Sequence, residues 1–287
     1  MSILELALSY LACPDDKGSL NSTNNHLICQ SCKREFRILN CNTIELLPKH
    51  PFHPNLEKSR KGYTKWYSKL LEGNQYSIEK NDKKSTSLPI EFDNDLVSKI
   101  QLSKNEFVCE VGSGRRNLSL KYAKNSKFVF HTDLDIEDIE KARVEAKRNN
   151  LDNILFVMCN YFHLPFKSAS LPYVINTGVL GRHGNEHDEK LLEQICNVTK
   201  KGGNIIIDFN AKERKIISTA VDGSLKFNVL KKEIISLILK FNLKIEKIYG
   251  LGYLPMIRNY SPLSYKIGNT ICKYFLPPSR WLVITKN

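Results

Sequence analysis

At 287 residues, with 41% hydrophobic and 25% charged side chains, the chain can form one large domain, or a domain with a small appendage, around a full core. No apolar run reaches the roughly 18 residues needed to cross a bilayer. The opening MSILELALSYLACPDD has Glu5 inside its short apolar stretch and no basic residues before it, a pattern unlike a secretory leader that points to a cytoplasmic protein. The formal net charge of +13 favours anionic partners such as RNA, a membrane surface or phosphorylated substrates, although the lysines are spread through stretches such as EKNDKK and KNSK rather than gathered into one basic tract.

Residues 1–48 read as a small module. LACPDDKGSL holds a Cys-Pro knuckle and a turn, NSTNNHLICQSCKREFRIL a turn, a strand, a second knuckle and a strand, and CNTIELLP closes the unit. So short a segment has little core and needs a staple. Cys29-x-x-Cys32 is half of a zinc-ribbon spacing, and Cys13 opens CPDD, whose second ligand position holds Asp16. Zinc accepts carboxylate oxygen as well as thiolate, so Cys13, Asp16, Cys29 and Cys32 form a possible structural zinc set. Cys41 or His26 are alternatives for the fourth place, and a ribbon without metal is the competing reading. Cys109, Cys159, Cys196 and Cys272 lie singly in apolar surroundings and read as small buried hydrophobes.

Residues 49–100 read as a linker and helical cap. PKHPFHPN is a proline-broken linker, KGYTKWYSKLLEGNQY has apolar residues at helical spacing, and LPIEFDNDLVSKIQLS reads as a short helix. From 101 to 287 strands and helices alternate. EFVCEVG, KFVFHTDLD, ILFVMCNY, LPYVINTGVL, NIIIDFN and RWLVITKN read as strands. RRNLSLKYAKN, IEDIEKARVEAKRNN and DEKLLEQICNVTKKGG read as helices, the last ended by its two glycines, and LKKEIISLILKFNLKIEKIYG is a helix leading into a strand. The alternation predicts an α/β fold, a Rossmann-like, doubly wound and mostly parallel sheet carrying a small N-terminal zinc-ribbon-like module.

Ligands of doubly wound sheets bind beyond the carboxyl ends of the strands, which is where EVGSGRRN falls. Gly112 and Gly114 allow a sharp turn and close approach of backbone to a ligand. Asp133 ends the next strand, 21 residues after Gly112, a spacing that suits hydrogen bonds to ribose hydroxyls. Arg116 occupies the slot of a third small residue, so a ligand lacking a pyrophosphate fits better than a dinucleotide.

From Phe107 to Ala211 these features resemble the class I S-adenosylmethionine-dependent methyltransferases, particularly their small-molecule group. The matching stretches are CEVGSGRRN, Asp133, CNYFHLPF, YVINTGVLGRH and LLEQICNVTKKGGNIIIDF. The resemblance implies S-adenosylmethionine held by Glu110, Gly112, Ser113, Gly114, Asn117, Asp133, Leu134, Asn160, Tyr161 and Asn176. It departs from the pattern at Arg116, at Asn160 in place of a common Asp, and at SLPYVI in place of a Phe-Asp. His183 and His187 follow the central strand and are the candidate bases for an acceptor that bears a proton. The first module is similar to zinc-ribbon-like domains fused to methyltransferases and, more loosely at TIELLP, to the amino-terminal module of ribosomal RNA guanine methyltransferases.

The expected substrate is a small, partly apolar molecule (a metabolite, glycan or lipid-linked intermediate) bound between residues 60–80, the turn after Asn176 and residues 250–275. Tyr63, Trp66, Tyr67 and Tyr76 on one side and Tyr249, Tyr253, Tyr260 and Tyr265 on the other would line it. An RNA base is the alternative acceptor, and a non-catalytic protein binding S-adenosylmethionine or a partner is the other alternative.

Overall fold

A computed structural model describes residues 3–23, 25–40, 42–49, 90–181, 184–211, 231–253, 261–276 and 278–287. The stretch 60–80, His183, Cys41 and Tyr260 lie outside the described residues.

Five strands form the parallel centre: β5 (Phe107–Val111), β6 (Phe128–Asp133), β7 (Ile154–Met158), β8 (Leu171–Thr177) and β9 (Thr199–Asn210). All residues of β5 and β7 are buried, as expected of strands covered on both faces. Beyond β9 the chain turns back. β10 (Lys244–Leu251) is the outer strand, and β11 (Arg280–Lys286) inserts antiparallel between it and β9. From β7 outward the order is β7-β6-β5-β8-β9-β11-β10. The order reverses between β5 and β8, and that switch point opens a crevice at their carboxyl ends.

Helices α2 (Ile90–Lys99), α3 (Leu118–Ala123), α4 (Ile136–Arg148), α5 (Asn185–Val198), α6 (Lys231–Lys240) and α7 (Pro262–Cys272) flank this sheet, with α1 (Ile3–Leu8) ahead of them. In α4, Asp135 caps the first turn by accepting from the Glu137 amide, acids lead and Lys147 and Arg148 close, and Ile139, Ala142 and Ala146 form the buried stripe. Cap, dipole and amphipathic spacing all favour the same helix.

The zinc-ribbon-like unit is joined to the sheet. β1 (Leu20–Ser22), β2 (His26–Cys29) and β3 (Glu35–Asn40) form an antiparallel meander, and β4 (Thr43–Glu45) pairs antiparallel with β3 and parallel with β7, Ile44 opposite Val157. The result is a continuous eleven-stranded sheet. Upstream, Tyr10 stacks on Phe107 at 4.6 Å, and Leu11 and Ala12 are fully buried. The Ala12 amide donates to the Pro165 carbonyl, and Lys17 Nζ donates to the Leu164 carbonyl at 2.5 Å.

One helix end differs from the sequence expectation. α5 stops at Val198, ahead of the glycines. Thr199 is already extended, with its hydroxyl on the Ile195 carbonyl at 2.6 Å. Gly202 has φ +72°, and a Cβ on Gly203 would lie 2.8 Å from the Lys200 carbonyl oxygen. The glycines therefore serve a bulge at the start of β9, where Gly202 donates to the Asn287 carbonyl and Asn287 to that of Gly203.

Candidate functional site

The loop after β5 turns at two left-handed glycines. Gly112 has φ +68°, and a Cβ there would meet Val179 Cγ2 at 2.9 Å; Gly114 has φ +53°, and a Cβ there would meet nothing within 4 Å among the described residues. Glycine is thus required at 112 by conformation and crowding, and at 114 by conformation. Ser113 ties the loop down, its amide on the Thr132 carbonyl and its hydroxyl on that of Glu110. Glu110 is fully buried and accepts from the Ser119 amide at 2.7 Å and the Thr177 hydroxyl at 3.3 Å, so it fastens the first turn of α3 to the tip of β8. Burial pushes its carboxyl up to about 7, against the downward pull of Arg116 and the Ser119 amide.

Asp133, at the tip of β6, accepts from the Gly114 amide at 2.7 Å and from the Asp135 amide at 2.9 Å. Burial raises its pKa, and those two N–H groups oppose the rise. The carboxylate therefore holds the glycine loop and fixes its own direction at the crevice edge. Leu134 follows it, half-buried. Asn176, at the end of β8, is fully buried. Its Nδ2 donates to the Val111 carbonyl at 2.8 Å, while its Oδ1 has no partner among the described residues. A buried carbonyl oxygen without a donor is costly, and this one stands at the switch point. Asn117 points elsewhere, with its Nδ2 on Glu145 of α4 at 2.9 Å.

Opposite the glycine loop, Asn160 Oδ1 accepts from the Phe162 amide and caps the short 3-10 turn Tyr161–His163. A Cβ on Gly112 would lie 3.9 Å from Tyr161 Cδ1, which places that ring over the loop. The Tyr161 hydroxyl lies 2.9 Å from His187 Nε2, and His187 Nδ1 lies 3.4 Å from Asp188, whose other oxygen accepts from the Gly181 amide. His187 is fully buried, with both ring nitrogens engaged, so it holds Tyr161 in place and ties α5 to the crevice wall.

Arg116 has a role that sequence reasoning missed. Its Nη2 and Nε bind Asp93 Oδ1 of α2 at 2.5 and 3.1 Å, and its Nη1 binds Asp208 Oδ2 of β9 at 3.1 Å. Asp208 also receives Arg280 Nε at 2.6 Å. Two arginines and two aspartates thus link α2, the glycine loop, β9 and β11, a charge-balanced chain with its ends far apart in sequence. The only signal was a large cation where a small residue is expected.

Of the aromatic residues expected around the acceptor, Tyr265 is 7% exposed and packs in the core cluster that includes Phe92, Leu96 and Leu251. Tyr249 and Tyr253 are half-buried at the end of β10, Tyr249 beneath Lys99.

A second cluster lies in the N-terminal unit. The ligand atoms of Cys13, Asp16, Cys29 and Cys32 lie within 4.8 Å of one another. The two knuckles repeat one geometry. Lys17 and Lys33 each have φ 61°. The Lys17 amide reaches the Cys13 carbonyl as Lys33 reaches Cys29, and Cys13 donates to Gly18 as Cys29 donates to Arg34. Asp16 therefore stands where the first knuckle's second cysteine would be. The 3.8 Å between Cys13 and Cys32 sulfurs equals the span of two zinc–sulfur bonds of about 2.3 Å at a tetrahedral angle. The Gly18 amide, and then Cys13, lower the Asp16 carboxyl to about 2, so it is an anion ready for a cation.

Residues 102–250 match the family described as methyltransferase domain, and residues 6–40 match the Trm112p-like protein family. No curated protein sequence matches the chain. Among solved structures, geranyl diphosphate C-methyltransferase from Streptomyces coelicolor A3(2), complexed with Mg2+, geranyl-S-thiolodiphosphate and S-adenosyl-L-homocysteine, is 11% identical with a TM-score of 0.54, over 83% of this chain and 99% of that one. A SAM-dependent methyltransferase from Aquifex aeolicus is 12% identical with a TM-score of 0.52, over 76% and 96%. A chain from the complex between the Haloferax volcanii Trm112 methyltransferase activator and the protein assigned as its methyltransferase is 15% identical with a TM-score of 0.53, over 68% and 88%. At these identities the likeness is one of fold.

Proposed function

We propose that this chain, which belongs to the methyltransferase-domain family, transfers the methyl group of S-adenosylmethionine to a small, partly apolar acceptor. The observation that carries the cofactor assignment is the buried Oδ1 of Asn176 at the switch point, unpartnered among the described residues, beside a glycine loop where a Cβ on Gly114 would meet none of them within 4 Å. That oxygen suits the ammonium of an amino-acid moiety, as the crevice-edge carboxylate of Asp133 suits a ribose diol. Gly112, Ser113 and Gly114 would present backbone to the ligand, and Asn160 and Tyr161 would flank its adenine. Bound there, S-adenosylmethionine supplies a methyl carbon already activated by its positive sulfur. The residues then have mainly to orient the acceptor and exclude water. Tyr161, held by His187 and Asp188, is the polar side chain best fixed over the glycine loop, and His187 would act through it by keeping the ring against the cofactor.

The acceptor class is supported by the aromatic side chains Tyr161, Tyr249 and Tyr253 near the carboxyl ends of the strands, and a structure of the same fold is named as a methyltransferase of geranyl diphosphate. An RNA base is the second reading, favoured by the net charge of +13. Residues 6–40 would serve within one chain as the Haloferax volcanii activator serves as a separate one, with a structural zinc on Cys13, Asp16, Cys29 and Cys32.

Calorimetric titration with S-adenosylhomocysteine tests the cofactor assignment. The wild type should bind, and Asp133→Ala should bind about 1.5–3 kcal/mol more weakly, the worth of a charge-assisted hydrogen bond. Asn176→Leu, which removes the acceptor, should weaken binding similarly. A wild type with no affinity at millimolar ligand would end the methyltransferase reading. Methyl transfer to an RNA fragment, with none to amphiphilic small molecules, would replace the acceptor.

A further inference from the structure

Eight large hydrophobic side chains are exposed among the described residues, and five of them fall within thirteen positions on and just after α7: Leu263 at 67%, Ile267 at 52%, Ile271 at 56%, Tyr274 at 73% and Phe275 at 79%. The first four recur at i, i+4, i+8 and i+11, which puts them on one stripe of a helix, with Phe275 beside it. The opposite side is the anchored one, where Tyr265 is buried and Asn269 Oδ1 accepts the Tyr253 amide. Exposed Lys266 and Lys273 border the stripe, the latter 5.3 Å from the Tyr274 ring.

The chain segment that carries this helix is one-sided in charge. Residues 247–287 contain Lys247, Arg258, Lys266, Lys273, Arg280 and Lys286 and no Asp or Glu, although Arg280 is buried against Asp208 and adds nothing to the surface. No described helix is long and apolar enough to cross a membrane.

We propose that α7 is an interfacial helix that lies flat on an anionic bilayer, its Leu263–Phe275 stripe among the lipid chains and its lysines at the headgroups. An apolar stripe bordered by lysines and closed by two aromatics is the pattern that partitions into such an interface. A second copy is a poorer occupant, because a twofold pairing would bring the lysines of both chains together with no acid of this segment to meet them.

The placement of α7 gives the docking a use. β10 runs parallel to β9, so the end of β10 and the start of β11, which lie on either side of α7 in the chain, are at the edge of the sheet where β5 and β8 open the crevice. Docking therefore turns the crevice edge towards lipid. If the acceptor is partly apolar, as proposed above, it would be collected from the bilayer; the docking itself does not depend on that reading.

Co-sedimentation tests it without any cofactor. The wild type should bind vesicles of phosphatidylcholine containing about one third phosphatidylglycerol at least tenfold better than pure phosphatidylcholine vesicles, and lose that preference in high salt. Ile267→Ser with Phe275→Ser, and separately Lys266→Glu with Lys273→Glu, should each reduce the partition at least about tenfold. These residues are exposed, and unchanged circular dichroism would show that both variants fold. Absence of binding to the anionic vesicles, or binding that neither variant weakens, would overturn the proposal. So would light scattering that shows a wild-type dimer dissociated by the Ile267→Ser, Phe275→Ser variant, because the stripe would then be covered by a second copy.

Discussion

Restoring glycine at the third position of the loop should destabilise the protein. Arg116 joins Asp93 through two nitrogens and Asp208 through one, and all three side chains are largely enclosed, with exposures of 17%, 12% and 0%. In Arg116→Gly, Asp208 keeps Arg280 at 2.6 Å, whereas Asp93 loses both of these contacts. Breaking one side of a buried pair costs about 3–5 kcal/mol, and the residual exposure of the Arg116–Asp93 end reduces this to about 2–4. The extra freedom of an unfolded glycine adds up to about 1 kcal/mol. Urea denaturation of wild type, Arg116→Gly, Asp93→Ala and the double variant at neutral pH would give the coupling directly. The expected interaction energy is about 2–3 kcal/mol, so that the double variant is far less damaged than the sum of the single ones. Coupling below about 0.5 kcal/mol would refute the reasoning and make Arg116 a bystander at the loop.

Elemental analysis should find about one zinc per chain, and Cys29→Ser should lose it. Because β4 belongs to the main sheet, that variant should also increase amide exchange along β7; metal-free protein with unchanged exchange would count against a zinc staple. His131 is fully buried, 2.6 Å from the Ser119 hydroxyl, and burial pushes its pKa from 6.5 down to about 3. The unfolded chain therefore binds the additional proton between those values, and stability falls as pH falls through that window. From pH 7 to pH 5 the wild type should lose about 2 kcal/mol more than His131→Gln. The comparison with the variant is needed because Glu110, raised to about 7, gives a slope of opposite sign; identical pH dependence of the two proteins would show that His131 titrates in the fold as it does in the unfolded chain.

The elements that the sequence revealed are those encoded locally. Alternating apolar strands and amphipathic helices from Phe107 onward gave the sheet, and EVGSG with Asp133 gave the crevice, because spacing along one chain fixes both. The clustering of Cys13, Asp16, Cys29 and Cys32 was legible because two knuckles of the same three-residue spacing repeat within the first module. What stayed hidden depends on distant partners. Arg116 is explained only by Asp93 before it and Asp208 well after it. The enclosure of His187 depends on Tyr161, and the buried place of Tyr265 on Phe92 and Leu251. The Lys-Gly-Gly run looked like a helix stop because glycine commonly follows helices. Its actual use, receiving the chain around Asn287, could not be seen from its neighbours.

The pairing of β4 with β7 has a consequence for biosynthesis. Thr43–Glu45 finds its parallel partner in Phe156–Met158, so the strand must wait while about 113 residues are made, on the order of 6–23 s at the usual pace of translation. During that interval its outer hydrogen-bonding edge is open, and an open edge is a template for pairing with another nascent chain. Delay of this kind is the kinetic cost of non-local pairing. The knuckles need no such wait, since Cys13 to Cys32 are complete before β4 emerges. A metal taken up at that stage would leave only a three-residue strand exposed on an otherwise finished unit, which would shorten the edge open to mispairing.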